Sequence, residues 1–164
     1  MLPFGHHPLK ITAIAVGNRM PRWVDDGFAE YAGRMPKNAR ISLVEVKPEP
    51  RTSGKTPAQM MAAEASRIEA ALPENCDCIV LDEHGRELTS EALADWLRER
   101  MESGRDLAFV IGGPDGLAPS VKMRAAQQMR LSSFTLPHGL ARVLLAEQLY
   151  RATTILANHP YHRS

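Results

Sequence analysis

Along this chain, short apolar runs rich in β-formers alternate with stretches whose apolar residues recur every three or four positions. The first run, residues 9–16 (LKITAIAV), ends at Gly17-Asn18 and predicts a strand. Pro21 then opens a helix on which Val24, Phe28, Tyr31 and Met35 share a face. Residues 41–46 (ISLVEV) predict a second strand, and the Pro-rich, basic stretch 47–56 (KPEPRTSGKT) has no periodicity and reads as a loop. Thr56, Pro57 and Gln59 have the form of a capping box, and the stripe Met61, Ala65, Ile68 and Leu72 follows. Residues 78–81 (CIVL) predict strand three. Leu93, Trp96, Leu97 and Met101 mark a helix closed by Gly104, and 107–111 (LAFVI) predict strand four. A short helix over 119–129, a fifth strand over 131–136 (LSSFTL) and a long last helix over 140–157 complete the pattern.

Strand and helix in strict alternation mean βαβ units. The fold class that follows is α/β, a mostly parallel sheet with helices on both faces. Ligands of such sheets bind beyond the carboxyl ends of the strands. That rule selects Leu81-Asp82, the turn Gly112-Gly113-Pro114-Asp115-Gly116, and residues 131–138. A chain of 164 residues suits one domain, here 9–164, behind an extension of residues 1–8. That start lacks a charged region followed by an apolar stretch, so no secretory signal is expected. No apolar run is long enough to predict a transmembrane helix. Cys76 and Cys78 are too close to staple a fold and lack zinc-type partners, so reduced cysteines, no metal and a cytoplasmic setting are expected.

The usual nucleotide signatures are missing. The turn after the first strand, Val16-Gly17-Asn18-Arg19-Met20, has a single glycine, and Gly112–Gly116 has the wrong spacing for a dinucleotide fingerprint. Its three glycines around a proline read either as a tight strand-to-helix turn or as a backbone wall against an adenosine-like ligand. The last helix is apolar on several faces, with Leu140, Val143, Leu144, Leu145, Leu149, Ile155 and Leu156. It is either central to the core or half of a subunit interface, and limited cover from its own small domain favours the interface. Glu147 and Arg151 stand four apart on it and can pair. Arg142 lies one turn past Pro137-His138 and reads as a paired arginine or as a functional charge. At the end of the chain His159, Tyr161, His162 and Arg163 cluster. They form either a solvated tail or a group that stacks on a base, grips phosphate and takes a proton. The formal net charge of +1 does not suggest binding to naked nucleic acid by charge alone.

Five segments taken in order carry a specific resemblance: Gly17-Asn18-Arg19-Met20-Pro21-Arg22-Trp23, Ile111-Gly112-Gly113-Pro114-Asp115-Gly116-Leu117, Thr135-Leu136-Pro137-His138, Glu147-Gln148-Leu149-Tyr150-Arg151-Ala152 and His159-Pro160-Tyr161-His162-Arg163. Together they resemble the ribosomal large subunit methyltransferase H family of the SPOUT (α/β-knot) methyltransferases, from about residue 9 to 163. The resemblance implies a deep trefoil knot in the C-terminal half, a rare topology, and a homodimer. It implies S-adenosylmethionine as cofactor and methylation of N3 of a pseudouridine in helix 69 of large-subunit rRNA. The substrate would be the assembled ribosome, which would supply most of the docking surface and account for the near-zero charge.

Carried over by position, the cofactor wall would be Leu81, Gly112, Leu131, Ser132, Ser133, Phe134, Thr135 and Leu136. His138, or His159 or His162 of the tail, would be the base that removes the N3 proton. Arg142 would hold phosphate or stabilise the developing anion, and Tyr161 with Arg163 would position the base. The chain departs from the family mainly in its first eight residues and in the loop 47–56, neither expected to touch the site. A knotted tRNA methyltransferase and a non-catalytic ribosome-associated dimer are the rival readings. The first lacks its usual basic extension, and the second has no use for a cofactor loop.

Overall fold

The computed structural model describes residues 8–51 and 54–163. The proposed extension therefore falls, apart from Pro8, outside the described residues, as do Thr52 and Ser53 of the Pro-rich loop. The elements are β1 (Leu9–Val16), α1 (Arg22–Arg34), β2 (Ala39–Val46), α2 (Pro57–Ala71), β3 (Cys76–Glu87), α3 (Ser90–Ser103), β4 (Asp106–Ile111), α4 (Pro119–Arg124), β5 (Gln127–Arg130) and α5 (His138–Leu156), followed by a 3-10 turn at Pro160–Arg163. The five strands form one parallel sheet in the order β2-β1-β4-β3-β5.

Alternation along the strands divides the core into two layers. Ile11, Ala13 and Ala15 of β1, with Leu107 and Phe109 of β4, face α1, α3 and α5. Ile14 and Val16 of β1, with Ala108 and Val110 of β4, face α2 and α4, where Ala65, Ile68 and Val121 meet them. Central β1 and β4 are buried on both faces, as the continuous apolar runs of parallel strands require. The helix starts follow their sequence signals. Thr56 accepts from the Gln59 amide while the Gln59 side chain accepts from the Thr56 amide, and Pro57 fills the first helical position. Gly104 closes α3 in the left-handed conformation with φ 76°.

Four expectations need correction. Residues 131–136 do not form the fifth strand: β5 is Gln127–Arg130, and 131–137 are loop. The Ala126 amide donates to the Cys78 carbonyl and sets Gln127 beside Ile79, so the edge of β3 is used up before LSSFTL is reached. Only Met129 of β5 is buried, while Gln127 is engaged by the Trp96 indole at 2.8 Å. For the same reason α4 ends at Arg124 rather than near Met129; Ala125 turns to extended geometry so that the chain can join the sheet. Strand three is longer than 78–81, because β3 continues to Glu87 across a register shift between Leu81 and Arg86. Lastly, α5 does not lack cover from its own domain. It packs against α1 and α3 and buries Leu145, Ala146, Leu149 and Ala152 completely. Glu147 and Arg151 pair on it as their spacing predicts.

Candidate functional site

An open cleft of about 1150 Å³ lies beyond the carboxyl ends of β1, β3 and β4. Each strand runs into it through a different device. From β4 the chain passes Ile111 into the 112–116 turn; from β3, Leu81 is followed by Asp82, Glu83 and His84; from β1, Val16 leads to Gly17. The loop 131–136 closes the far side, and His138 at the start of α5 completes the wall. The structure thus brings together Leu81, Gly112, Leu131, Ser132, Ser133, Phe134, Thr135, Leu136 and His138. Phe134 stands on the rim, 81% exposed. Gly112 bears out the tight-turn reading of its segment. A Cβ there would come within 2.8 Å of Leu117 Cγ and 3.0 Å of the Gly116 carbonyl, so the turn closes only on glycine while its backbone faces the cleft.

His138 and Arg142 stand one helical turn apart and form a single network. Arg142 Nε donates to His138 Nε2 at 2.9 Å, and an arginine only donates. His138 Nε2 is therefore an acceptor, the proton sits on Nδ1, and Nδ1–H donates to the Gly112 carbonyl at 2.9 Å. Burial, reinforced by the Arg142 charge, holds the imidazole below its ordinary pKa against the opposing pull of the Gly112 carbonyl and Glu45. Arg142 is fully buried; its other nitrogens donate to Glu45 Oε2 at 2.8 Å and to the Gly17 carbonyl at 3.1 Å. These contacts run against two expectations. His138 has no free lone pair with which to act as a base. Arg142 does not face the cleft to hold phosphate: it ties the ends of β1 and β2 to α5.

The tail residues lie elsewhere. The 3-10 turn packs on the last turns of α5: the Tyr161 ring meets Tyr150 at a 60° tilt with centroids 4.7 Å apart, under the Arg151 guanidinium. Burial raises the Tyr161 hydroxyl to about 12. His162 Nδ1 is buried with no hydrogen-bond partner among the described residues, while His159 and Arg163 are exposed. Tyr161 reaches back along α5 as far as Glu147, which is still nine residues, or roughly 14 Å at 1.5 Å per residue, from His138. The tail of one chain does not reach that chain's own cleft.

Several wall residues carried no motif in the sequence. Glu83 and His84 line the cleft because β3 overshoots Leu81, and Lys122 joins the wall by pairing at 3.4 Å with Asp82, which the strand-end rule had selected. The Pro-rich loop also reaches the site, contrary to expectation: Pro48 lines the cleft, and Arg51 pairs with Asp115 of the glycine turn at 3.1 Å. Among the described residues no group of three or more His, Cys, Asp or Glu is placed to hold a metal ion.

A family model described as "Predicted SPOUT methyltransferase" matches residues 9–162. The chain belongs to the SPOUT methyltransferases. Within that family it is similar to proteins named "Ribosomal RNA large subunit methyltransferase H". The protein of that name from Ralstonia nicotianae is 58% identical over 155 residues, covering 94% of this chain and 99% of the relative. The one from Bordetella petrii is 58% identical over 156 residues, covering 95% and 100%. A solved structure from Neisseria gonorrhoeae, provisionally assigned to a methylase family, aligns with TM-score 0.54 at 14% identity over 92% of this chain and 84% of that one, a likeness of fold. The cleft of this SPOUT chain suits an adenosine-type cofactor. Leu81, Ile111, Leu117, Leu131 and Leu136 offer apolar surface, the glycine turn leaves room, and the loop 131–136 presents backbone donors and acceptors.

Proposed function

We propose that this protein methylates N3 of a pseudouridine in helix 69 of large-subunit rRNA, on the assembled ribosome, using S-adenosylmethionine held in the cleft. The observation that carries the reading is the glycine-walled cleft at the carboxyl ends of three parallel strands, joined to α5 through His138 and Arg142. The names of the 58%-identical relatives support large-subunit rRNA as the substrate. The cofactor supplies a methyl group on a sulfonium, and the rest of the chemistry is positioning and removal of one proton. Leu81, Gly112 and the loop 131–136 bind and orient the cofactor, with backbone groups meeting the adenine edge. His138 acts as a positioning residue, fixing the Gly112 carbonyl from behind, and Arg142 holds His138 in the tautomer that does so.

Removal of the N3 proton then falls to the tail, where His159 and His162 are the base candidates and Tyr161 with Arg163 orient the target base. The separation of the tail from its own cleft along α5 supports a homodimer in which that tail completes the cleft of a second copy. The same reading carries the trefoil knot. It is supported by the path of the chain from β5, at one edge of the sheet, through the loop 131–137 to an α5 whose Arg142 reaches the ends of β1 and β2. The enzyme would work in the cytoplasm, with the ribosome. The deciding test incubates the protein and labelled S-adenosylmethionine with unmodified whole ribosomes, free large subunits and naked rRNA. Label on whole ribosomes at the helix 69 pseudouridine is the expected outcome. No label on any of them, despite measurable cofactor binding, overturns the substrate.

A further inference from the structure

The Pro-rich loop 47–56 plays no part in the chemistry above, yet it is tied down at many points. Arg67 of α2 donates to the Lys47 carbonyl at 3.0 Å and to Glu49 at 2.6 Å. The Glu49 amide donates to Glu64 Oε2 at 2.9 Å, and Lys55 adds an ion pair to the Glu49 carboxylate. With both cations beside it, that carboxylate is held below its ordinary pKa. These bonds deliver Arg51 to the cleft. One Arg51 nitrogen pairs with Asp115 at 3.1 Å, and the other stands 3.7 Å from Glu64 Oε2.

Glu64 is the unusual member of the group. It is 2% exposed, and its Oε1 has no hydrogen-bond partner among the described residues. A Cβ on Gly113 would lie 3.3 Å from that oxygen, so the carboxylate sits directly behind the glycine turn that walls the cleft. A buried carboxylate with a bare oxygen is unfavourable for folding, and it attracts any cation within reach. Arg51 is that cation, spread between the buried Glu64 behind the turn and the half-buried Asp115 within it.

We propose that Arg51 is a positioning residue for the cofactor: with Glu64 behind it and Asp115 in front, it fixes the 112–116 turn where the cofactor must meet it. The inference rests on the reading that the cleft binds S-adenosylmethionine. Arg51 and Asp115 are each about one third exposed, so their pair adds little to overall stability. Its effect is on the placement of a wall, and small misplacements of a binding loop are costly.

The test is calorimetric titration of the full chain with S-adenosylhomocysteine, using Arg51→Gln, Arg51→Lys, Asp115→Asn and the Arg51→Gln/Asp115→Asn double variant. Arg51→Gln and Asp115→Asn should each weaken binding on the order of tenfold, and the double variant should be little worse than either, as coupled partners require. Arg51→Lys should recover part of the loss. Thermal midpoints should stay within about 2 °C of the parent, given the small stability of an exposed pair. Arg51→Gln binding within twofold of the parent, or losses that multiply in the double variant, would overturn the proposal. Amide exchange of Gly113 and Gly116 in the ligand-free protein supplies a readout that needs no ligand. It should be faster in Arg51→Gln, and equal rates would sink the proposal. A folded parent chain that binds no S-adenosylhomocysteine would instead defeat the functional reading, and the exchange result would still decide the clamp.

Discussion

At the scale of single residues, the His138 imidazole is held neutral by its surroundings, and this has a measurable pH signature. Protonating Nε2 would set a new N–H against Arg142 Nε and break the bond between them. Because its folded pKa is depressed, the folded protein binds fewer protons at this site than the unfolded chain does. The resulting stability is fully present above the ordinary histidine value of about 6.5 and is lost as the pH falls below it. Thermal midpoints of the parent and of His138→Gln, measured from pH 8 to pH 5, should therefore converge as the pH falls. A constant gap between the two curves would show that His138 does not titrate in this environment. Residue by residue, the wall formed by Leu81, Gly112 and 131–136 was legible in the sequence, because a parallel sheet concentrates its ligands at strand ends. Glu45 and Arg51 were not. Glu45 meets Arg142 across 97 positions, and Arg51 meets Asp115 across a loop whose composition reads only as irregular. No local periodicity encodes such encounters. The partners of His138 and Arg142 were hidden for the same reason: they lie on β2 and in the turns just past β1 and β4, out of view of a one-dimensional pattern.

At the scale of elements, β3 shows how far a local rule reaches. Its apolar stretch 78–81 announced a strand, but the polar continuation to Glu87 did not, since it lies past the buried part of the sheet. What permits that continuation is Gly85. A Cβ there would stand 2.5 Å from the Met129 carbonyl carbon and 2.7 Å from its nitrogen, both backbone atoms that cannot swing away. Gly85→Ala should push β3 and β5 apart at the register shift and cost about 1–3 kcal/mol, the usual range for overpacking. Denaturant unfolding checks this, and a midpoint equal to that of the parent would mean that the two strands separate freely. The start of α2 and the end of α3, by contrast, were legible to within a residue or two, because capping chemistry is local: Thr56 with Gln59, and Gly104, did what their types dictate. The fifth strand was misplaced because LSSFTL has the right composition for a strand, and composition does not reveal that β3 has no edge left to pair.

At the scale of the whole molecule, the distance along α5 makes the proposed homodimer testable. If the tail serves a partner's cleft, a chain cut before His159 and a second chain carrying Gly112→Val should each be inactive alone. Refolded together at equal amounts, they should regain roughly a quarter of parental activity, since half the dimers are mixed and each has one complete site. A mixture as inactive as its parts would place the tail's work outside the cleft. The parallel sheet with helices on both faces followed from alternation alone, whereas the strand order, the proposed association of copies and the proposed threading of the chain have no counterpart in periodicity.

The loop 131–137 joins the edge strand β5 to α5 as a span fixed at both ends. Within it the Phe134 amide bonds to the Ser132 hydroxyl, and Ser133, Phe134, Thr135 and Pro137 are exposed. A segment with so few internal bonds keeps configurational freedom that an occupant of the cleft must remove. Part of the intrinsic attraction between wall and cofactor is then spent on ordering the wall. In the proposed cofactor cleft, affinity would then depend on how stiff the empty loop already is as well as on the contacts it makes when filled.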